Sequence, residues 1–124
     1  MWTTDRRIDA PADTVWQILT DLNAWPVWGP TVTGAELSDG GPFRLGARGK
    51  VWTPVGVPLP FEINEFQPGS MWAWKVGGIP ATRHGVDPIG TGCRVWMSAP
   101  AWGPVYVPVL AIALRRIEHM AMAR

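Results

Sequence analysis

The stretch Ile8–Trp28, IDAPADTVWQILTDLNAWPVW, says more about the fold than any other part of the chain. Residues 2–9, which precede and overlap this stretch, alternate weakly between polar and apolar side chains and predict a first strand. Pro11 suits the first position of a helix, where its missing N–H costs nothing. The apolar residues that follow recur at helical spacing and predict one buried helix face; they are Val15, Ile18, Leu19 and Leu22.

A second short helix is predicted directly after the first. Asp21 can cap it, because Asp side chains accept hydrogen bonds from the free N–H groups of a helix start. We expect this helix to run from Leu22 to about Trp25, with Pro26 limiting its length.

The middle of the chain predicts a sheet. Glycine and proline recur from Gly29 to Gly103, and the short runs between them are rich in Val, Trp, Phe and Thr, as in strands joined by turns. The predicted strands are 32–38, 44–54, 57–66, 71–77, 81–87 and 91–99. None of the intervals is long enough for a crossover helix, so we expect an antiparallel meander.

The last segment predicts a long helix. Pro108 cannot lie deep inside a helix, so regular helix should begin near it, with Trp102–Val107 as a lead-in. A stripe of apolar residues then follows helical spacing; it comprises Val107, Leu110, Ala111, Leu114, Ile117 and Ala121.

Composition narrows the classes of protein. With 124 residues, 47% apolar and 17% charged, residues 1–124 are expected to form a single globular domain. A net charge of +1 gives no indication of a basic surface that would bind nucleic acid. Cys93 is the only cysteine, so no intramolecular disulfide can form.

The N-terminus lacks the apolar core of a signal peptide, and the apolar run Trp102–Leu114 is shorter than a membrane span. We therefore expect a cytoplasmic protein without stable membrane insertion.

Several motifs resemble the START-like (Bet v 1-like, SRPBCC) superfamily, the polyketide cyclase/dehydrase and lipid transport group. They are Ala10 and Pro11 before the first helix, Val15 and Trp16 within it, Asp21 with Trp25 and Trp28, the turn 66–69, Trp72 and Trp74, His84, and the hairpin 90–92. The resemblance implies an α+β helix-grip fold, with a curved antiparallel sheet of about seven strands around a long C-terminal helix. It also implies a hydrophobic cavity between sheet and helix. The chain is short for this group, which argues against sterol-sized or glycerolipid ligands.

Alternation along the strands assigns the side chains that face the cavity. Lysine and arginine are rarely buried unpaired, so residues that alternate with Lys75, Arg83 and Arg94 should point inward. The predicted ligand-binding residues on this basis and from the helix stripe are Phe61, Trp72, Trp74, Val86, Val95, Met97, Leu110 and Leu114. Nine tryptophans fit either an aromatic core or an aromatic-lined pocket.

Two residues could carry chemistry. His84 is predicted to face inward, and its titration range suits general acid/base work; a core histidine satisfied by a neighbour is the structural alternative. Tyr106, the only tyrosine, lies at the start of the last helix, where its hydroxyl could orient a ligand or simply pack. The two histidines, His84 and His119, have no carboxylate at ligand spacing, so no metal is expected. No nucleotide motif is present, so no cofactor is expected.

The charged surface residues and the Cys93 thiol are not expected to take part in catalysis or ligand binding. Arg83 and Asp87 should form a weak surface pair. Glu62 and Glu65 should fall on opposite faces unless a bulge intervenes. Cys93 is expected to be a buried, inert thiol.

Three functions remain open at this point. The first is binding of a small hydrophobic or aromatic molecule. The second is a cofactor-independent cyclase or dehydratase, or a related lyase or isomerase, in which His84 moves a proton on an enolisable carbonyl substrate. The third is a homodimeric interaction module with an exposed tryptophan patch; its candidate residues are Trp2, Trp28, Trp52 and Trp96.

Overall fold

A computed structural model describes residues 2–38, 40–100 and 104–124. Seven strands, three α-helices and one 3₁₀ turn are seen in these residues. In chain order they are β1 (Trp2–Ile8), α1 (Ala12–Thr20), α2 (Trp25–Trp28), β2 (Gly34–Leu37), β3 (Arg48–Trp52), β4 (Pro58–Gln67), β5 (Met71–Val76), β6 (Ile79–Ile89), β7 (Gly92–Ala99), the 3₁₀ turn (Pro104–Tyr106) and α3 (Val107–Met122).

The strands form one curved sheet with the order β1-β7-β6-β5-β4-β3-β2. Every neighbouring pair is antiparallel, so β2 to β7 make a continuous meander and β1 joins its far edge beside β7. Helix α3 packs against β1, β7, α1 and α2. The predicted meander and the predicted α+β helix-grip fold are confirmed.

The helix starts differ from the sequence-based expectation. Pro11 precedes α1 as its N-cap residue, with extended backbone, rather than filling the first helical position. Helix α2 begins at Trp25, not Leu22, and Pro26 lies in its first turn. Because the first N–H groups of a helix have no helical partner, Pro26 fits there at no cost and begins the helix instead of ending it. Asp21 accepts a hydrogen bond from the Asn23 N–H (3.0 Å) in the turn before α2.

Strand lengths also differ: β2 spans only Gly34–Leu37, shorter than the predicted 32–38, and the differences are larger in β3 and β6. Strand β3 spans only Arg48–Trp52, shorter than the predicted 44–54. Gly46 has a φ of +82°, which belongs to a turn rather than to a strand. Strand β6 spans Ile79–Ile89, longer than the predicted 81–87, because residues 79–80 pair with β5 and residues 88–89 pair with β7.

A bulge in β4 changes which residues share a face. The register shifts between the pairs of Ile63 and Glu65 with β5, which leaves Asn64 as the extra residue. Ile63 therefore faces inward and Glu65 outward, although they are two residues apart. The same shift places Glu62 and Glu65 on the outer face together, where they form ion pairs with Arg48 and Arg83 respectively.

The expected pair of Arg83 with Asp87 is not formed. Arg83 Nε donates instead to Glu65 Oε2 across the neighbouring strand at 3.0 Å. Asp87 accepts from Arg94 Nη1 at 3.2 Å. Arg94 lies opposite Asp87 on the adjacent strand, and Glu65 lies in line with Arg83 across β5, through Ala73. Two strand spacings of about 4.8 Å are shorter than four residues of about 3.3 Å along one strand, so both cross-strand partners are closer.

Three indole N–H groups hold the C-terminal end of α1. Trp25 Nε1 and Trp72 Nε1 both donate to the Leu19 carbonyl oxygen, at 3.0 and 3.2 Å. Trp28 Nε1 donates to the Ile18 carbonyl oxygen at 3.3 Å. The last carbonyls of a helix have no helical partner, so these bonds satisfy both the buried indoles and the helix end.

This arrangement corrects one part of the proposed tryptophan patch. Trp28 is only 6% exposed and belongs to the core, because its indole is bound to α1. Trp2 is 47% exposed, and Trp52 and Trp96 are half-buried.

Candidate functional site

A stacked aromatic cluster fills the space between the sheet and helices α1 and α2. The Trp25 and Trp72 rings are stacked with centroids 5.1 Å apart, and Trp74 meets Trp72 edge to face at 5.5 Å. Trp72 also stacks against His84, with ring centroids 3.9 Å apart. Trp25 and Trp72 thus form an aromatic core, whereas Trp74 also contributes to the wall of an open cavity.

His84 has partners on both ring nitrogens. Its Nδ1 lies 3.4 Å from the Trp72 carbonyl oxygen, and because a carbonyl only accepts, Nδ1 carries the proton. Its Nε2 lies 2.9 Å from Thr82 Oγ1 and accepts from that hydroxyl. Thr82 Oγ1 accepts in turn from Trp74 Nε1 at 3.0 Å. The result is a directional chain from Trp74 to Thr82 to His84.

Burial keeps His84 neutral. The side chain is 2% exposed, and the cost of desolvating an imidazolium lowers the pKa of His84 from 6.5 to about 3, although the bond to the Trp72 carbonyl opposes this shift. A histidine with such a pKa is uncharged at neutral pH. It can accept a proton from a ligand only if its surroundings open.

The space next to His84 is very small. An inner cavity of about 50 Å³ lies between His84 and α3, which is room for one or two water molecules at about 30 Å³ each. Its lining comprises Trp25, Trp28, Gly29, Pro30, Thr31, Val32, Trp72, Trp74, Thr82, His84, Met97, Tyr106, Val109, Leu110 and Ala113.

A larger outer cavity of about 480 Å³ opens at one end of the sheet. It lies between β3 to β6, the end of β7, the loop after α2 and the 3₁₀ turn. Its lining comprises Thr31, Val32, Val51, Thr53, Pro54, Val55, Leu59, Trp74, Val76, Ala81, Thr82, Ala99, Pro100 and Tyr106. Trp74 and Tyr106 are its aromatic members among the described residues, so the walls are chiefly aliphatic.

Tyr106 and Thr31 mark the boundary between the two cavities. Both residues line both spaces, as do Val32, Trp74 and Thr82. The Tyr106 hydroxyl and Thr31 Oγ1 form a hydrogen bond of 2.6 Å. This bond ties the 3₁₀ turn before α3 to the loop after α2.

The predicted site residues are divided among three places. Trp74 and Tyr106 line both cavities, whereas Trp72, His84, Met97 and Leu110 line the inner cavity only. The remaining four residues lie in the packed core, each at most 3% exposed, and are not among the lining of either cavity; they are Phe61, Val86, Val95 and Leu114. The larger space thus lies at the strand ends, not along α3.

Sequence reasoning missed most of the outer cavity, because several of its walls come from loops and strand ends. Thr31, Thr53 and Val55 lie in such connections, where polar and apolar residues follow no regular alternation. One signal could have found part of it. The run 51–61, VWTPVGVPLPF, contains no charged residue although several of its positions are exposed, and Val55 is 81% exposed.

Other candidate chemistries have little support in the part of the chain that is described. Its residues include no cluster of three His, Cys, Asp or Glu side chains that could ligate a metal. Cys93 is buried, and desolvation raises the pKa of its thiol. None of the helices described is long and apolar enough to cross a membrane.

A curved antiparallel sheet that packs on a C-terminal helix and opens into an apolar cavity defines a helix-grip protein. The sequence model of the polyketide cyclase / dehydrase and lipid transport family matches residues 2–122. The chain therefore belongs to this family.

Solved structures with the same fold are numerous and distant in sequence. Protein NE0264 from Nitrosomonas europaea is 16% identical, with a TM-score of 0.71, over 98% of this chain and 93% of that chain. Protein MLL2253 from Mesorhizobium loti is 14% identical, with a TM-score of 0.71, over 98% and 96%. DynU16, a protein of the dynemicin biosynthetic locus, is 19% identical, with a TM-score of 0.67, over 95% and 45%. Comparison with curated protein sequences gives no match.

Proposed function

We propose that this protein binds a small hydrophobic molecule in the outer cavity. The observation that carries the proposal is an open, mainly aliphatic space of about 480 Å³ with a few hydroxyl groups on its wall. Ligand sites are typically apolar concavities of about 300–1,000 Å³ with few polar groups. The hydroxyl-bearing residues of the wall are Thr31, Thr53, Thr82 and Tyr106, and the Thr82 hydroxyl is already bonded to His84 and Trp74.

The cyclase or dehydratase alternative has less support. His84, its proposed general acid/base, is neutral, has both ring nitrogens hydrogen-bonded and adjoins a space of about 50 Å³. A substrate in the outer cavity would contact Tyr106 and Thr82 but not His84, which is absent from the lining of that cavity. If an enolisable aromatic ketone is turned over and His84→Gln abolishes turnover while the variant stays folded, this alternative replaces the binding function.

A fluorescent apolar probe tests the binding proposal. N-phenyl-1-naphthylamine is uncharged and gains fluorescence in apolar surroundings. We expect the wild-type protein to bind it, and Ala81→Phe to weaken binding at least about tenfold, because the added ring occupies space in the cavity. Ala123→Phe adds the same ring at an exposed position of the C-terminus and should leave binding unchanged.

Two results would overturn the proposal. One is an absence of binding by the wild-type protein. The other is equal binding by the wild type and a folded Ala81→Phe variant, because the probe would then occupy another place. Native mass spectrometry of protein purified from its own host would identify the natural ligand.

A further inference from the structure

We propose that the outer cavity selects uncharged ligands that carry a hydroxyl or carbonyl group, and that it rejects anions such as carboxylates and sulfonates. This inference rests on the proposed function, since it specifies the chemical class of molecule that the cavity takes. It follows from the distribution of charge along the chain, from the start of α3 and from the hydroxyl pair at the cavity boundary.

Charged residues are excluded from the segments that build the cavity. Four stretches contain no Asp, Glu, Lys, Arg or His; they are 22–35, 51–61, 76–82 and 95–114. All the described lining residues except Trp74 fall within these four stretches. Trp74 is followed by Lys75, which alternates to the outer face and pairs in register with Glu62. None of these lining residues carries a positive charge, so none of them can neutralise a bound anion.

The start of α3 offers an anion little compensation. A helix start can bind an anion through its free N–H groups. Here Pro108 lies in the first turn of α3 and Pro104 begins the preceding 3₁₀ turn, and proline has no N–H to donate. A charged group in an apolar site without a cation or several hydrogen-bond donors keeps the full cost of its desolvation.

The boundary pair suits a neutral polar group. Tyr106 and Thr31 share one hydrogen bond of 2.6 Å. Whichever hydroxyl donates, the other keeps its own proton, and both oxygens keep lone pairs. The pair can therefore donate one hydrogen bond to a ligand carbonyl, or accept one from a ligand hydroxyl, without gaining or losing charge.

Two related dyes test the inference. N-phenyl-1-naphthylamine and 8-anilinonaphthalene-1-sulfonate share a ring system, but only the second carries a sulfonate. We expect the neutral dye to bind at least about tenfold more tightly, a difference of about 1.4 kcal/mol. Equal affinities, or tighter binding of the sulfonate, would overturn the inference and leave the proposed function standing. Binding of neither dye would overturn the proposed function and the inference together.

A charge introduced into the wall should reverse the selection. Thr53→Lys places a cation on the cavity lining, and we expect it to tighten binding of the sulfonate dye about fivefold, within the range of a solvent-accessible ion pair, with little change for the neutral dye. Thr91→Lys is the matched control, because Thr91 is exposed in the turn between β6 and β7, outside the lining and at the opposite ends of these strands from the cavity. If Thr53→Lys gains no more than Thr91→Lys, the discrimination does not arise in the cavity and the inference is wrong.

Discussion

The imidazole of His84 lies almost parallel to the indole of Trp72, with ring centroids 3.9 Å apart and planes inclined by 24°. The two residues face each other in register across β5 and β6, and the His84 Nδ1–H is directed at the Trp72 backbone carbonyl. A neutral base is thus held inside the aromatic core, where protonation would place a charge in an apolar environment.

The first prediction concerns stability in mild acid. The pKa of His84 is about 3 in the folded protein and about 6.5 in an unfolded chain, so the unfolded state binds the proton more readily between these values. Stability is full above about pH 6.5 and is lost as the pH falls towards 3. From pH 7 to pH 5 we expect a loss of about 2 kcal/mol in the free energy of unfolding, measured by urea denaturation.

Histidine variants separate this effect from other titrating groups. His84→Gln should lower stability at pH 7 but flatten its dependence on pH between 7 and 5. His119→Gln removes the other histidine, which is exposed, and should keep the wild-type slope. An unchanged slope in His84→Gln would show that His84 is not the group responsible.

The second prediction concerns the bond between Tyr106 and Thr31. Tyr106→Phe and Thr31→Val each remove one hydroxyl from a partly buried hydrogen bond of 2.6 Å, and each should cost about 1 kcal/mol in the free energy of unfolding. The double variant should cost less than the sum of the two, because either single change already breaks the bond. Strict additivity in this double-mutant cycle would mean that the bond contributes nothing to stability.

The third prediction concerns a close approach between β2, β3 and β4. A Cβ added at Gly49 would collide with the Glu36 carbonyl oxygen of β2 and come within 2.8 Å of Phe61 Cζ. The backbone of β2 cannot move away without breaking its pairing, so Gly49→Ala should destabilise the protein by about 1–3 kcal/mol. Gly34→Ala is the control in β2, because its Cβ would make an ordinary contact of 3.7 Å with Trp52. Thermal unfolding that is equal for both variants would contradict this packing.

The fourth prediction concerns the thiol of Cys93. It is 2% exposed, and burial raises its pKa, so both access and thiolate formation are suppressed. Reaction with a disulfide reagent at pH 8 should be slow in the native protein and fast in denaturing urea. Fast labelling of the folded protein would mean that the edge formed by β7 and β1 opens readily.

The sequence was sufficient for the inward positions of Trp72 and His84, but not for the bulge in β4 or for the location of the cavity. Alternation against Lys75 and Arg83 correctly turned Trp72 and His84 inward, because burying an unpaired cation is costly whatever the neighbours. Whether inward side chains leave a space depends on how neighbouring elements approach. Helix α3 packs closely enough to bury Leu114, at 1% exposure. It leaves about 50 Å³ beside His84, whereas the larger cavity lies at the strand ends.

Pro26 shows a second limit of sequence reasoning. A proline disrupts a helix when it lies in the interior, but it is well accommodated in the first turn. The effect of Pro26 therefore depends on where the helix begins. The helix start was decided by tertiary contacts, since the indoles of Trp25 and Trp28 bind the end of α1. Contacts of this kind join separate elements and leave no periodic pattern in the sequence.

The attachment of three indoles to the end of α1 has a consequence for how such proteins diverge. Trp25, Trp28 and Trp72 secure the fold through the Ile18 and Leu19 carbonyls, and none of the three lines the outer cavity. Substitutions in the lining of the outer cavity can therefore change its specificity without disturbing these three contacts. Distant relatives can share this architecture while each evolves a specificity of its own.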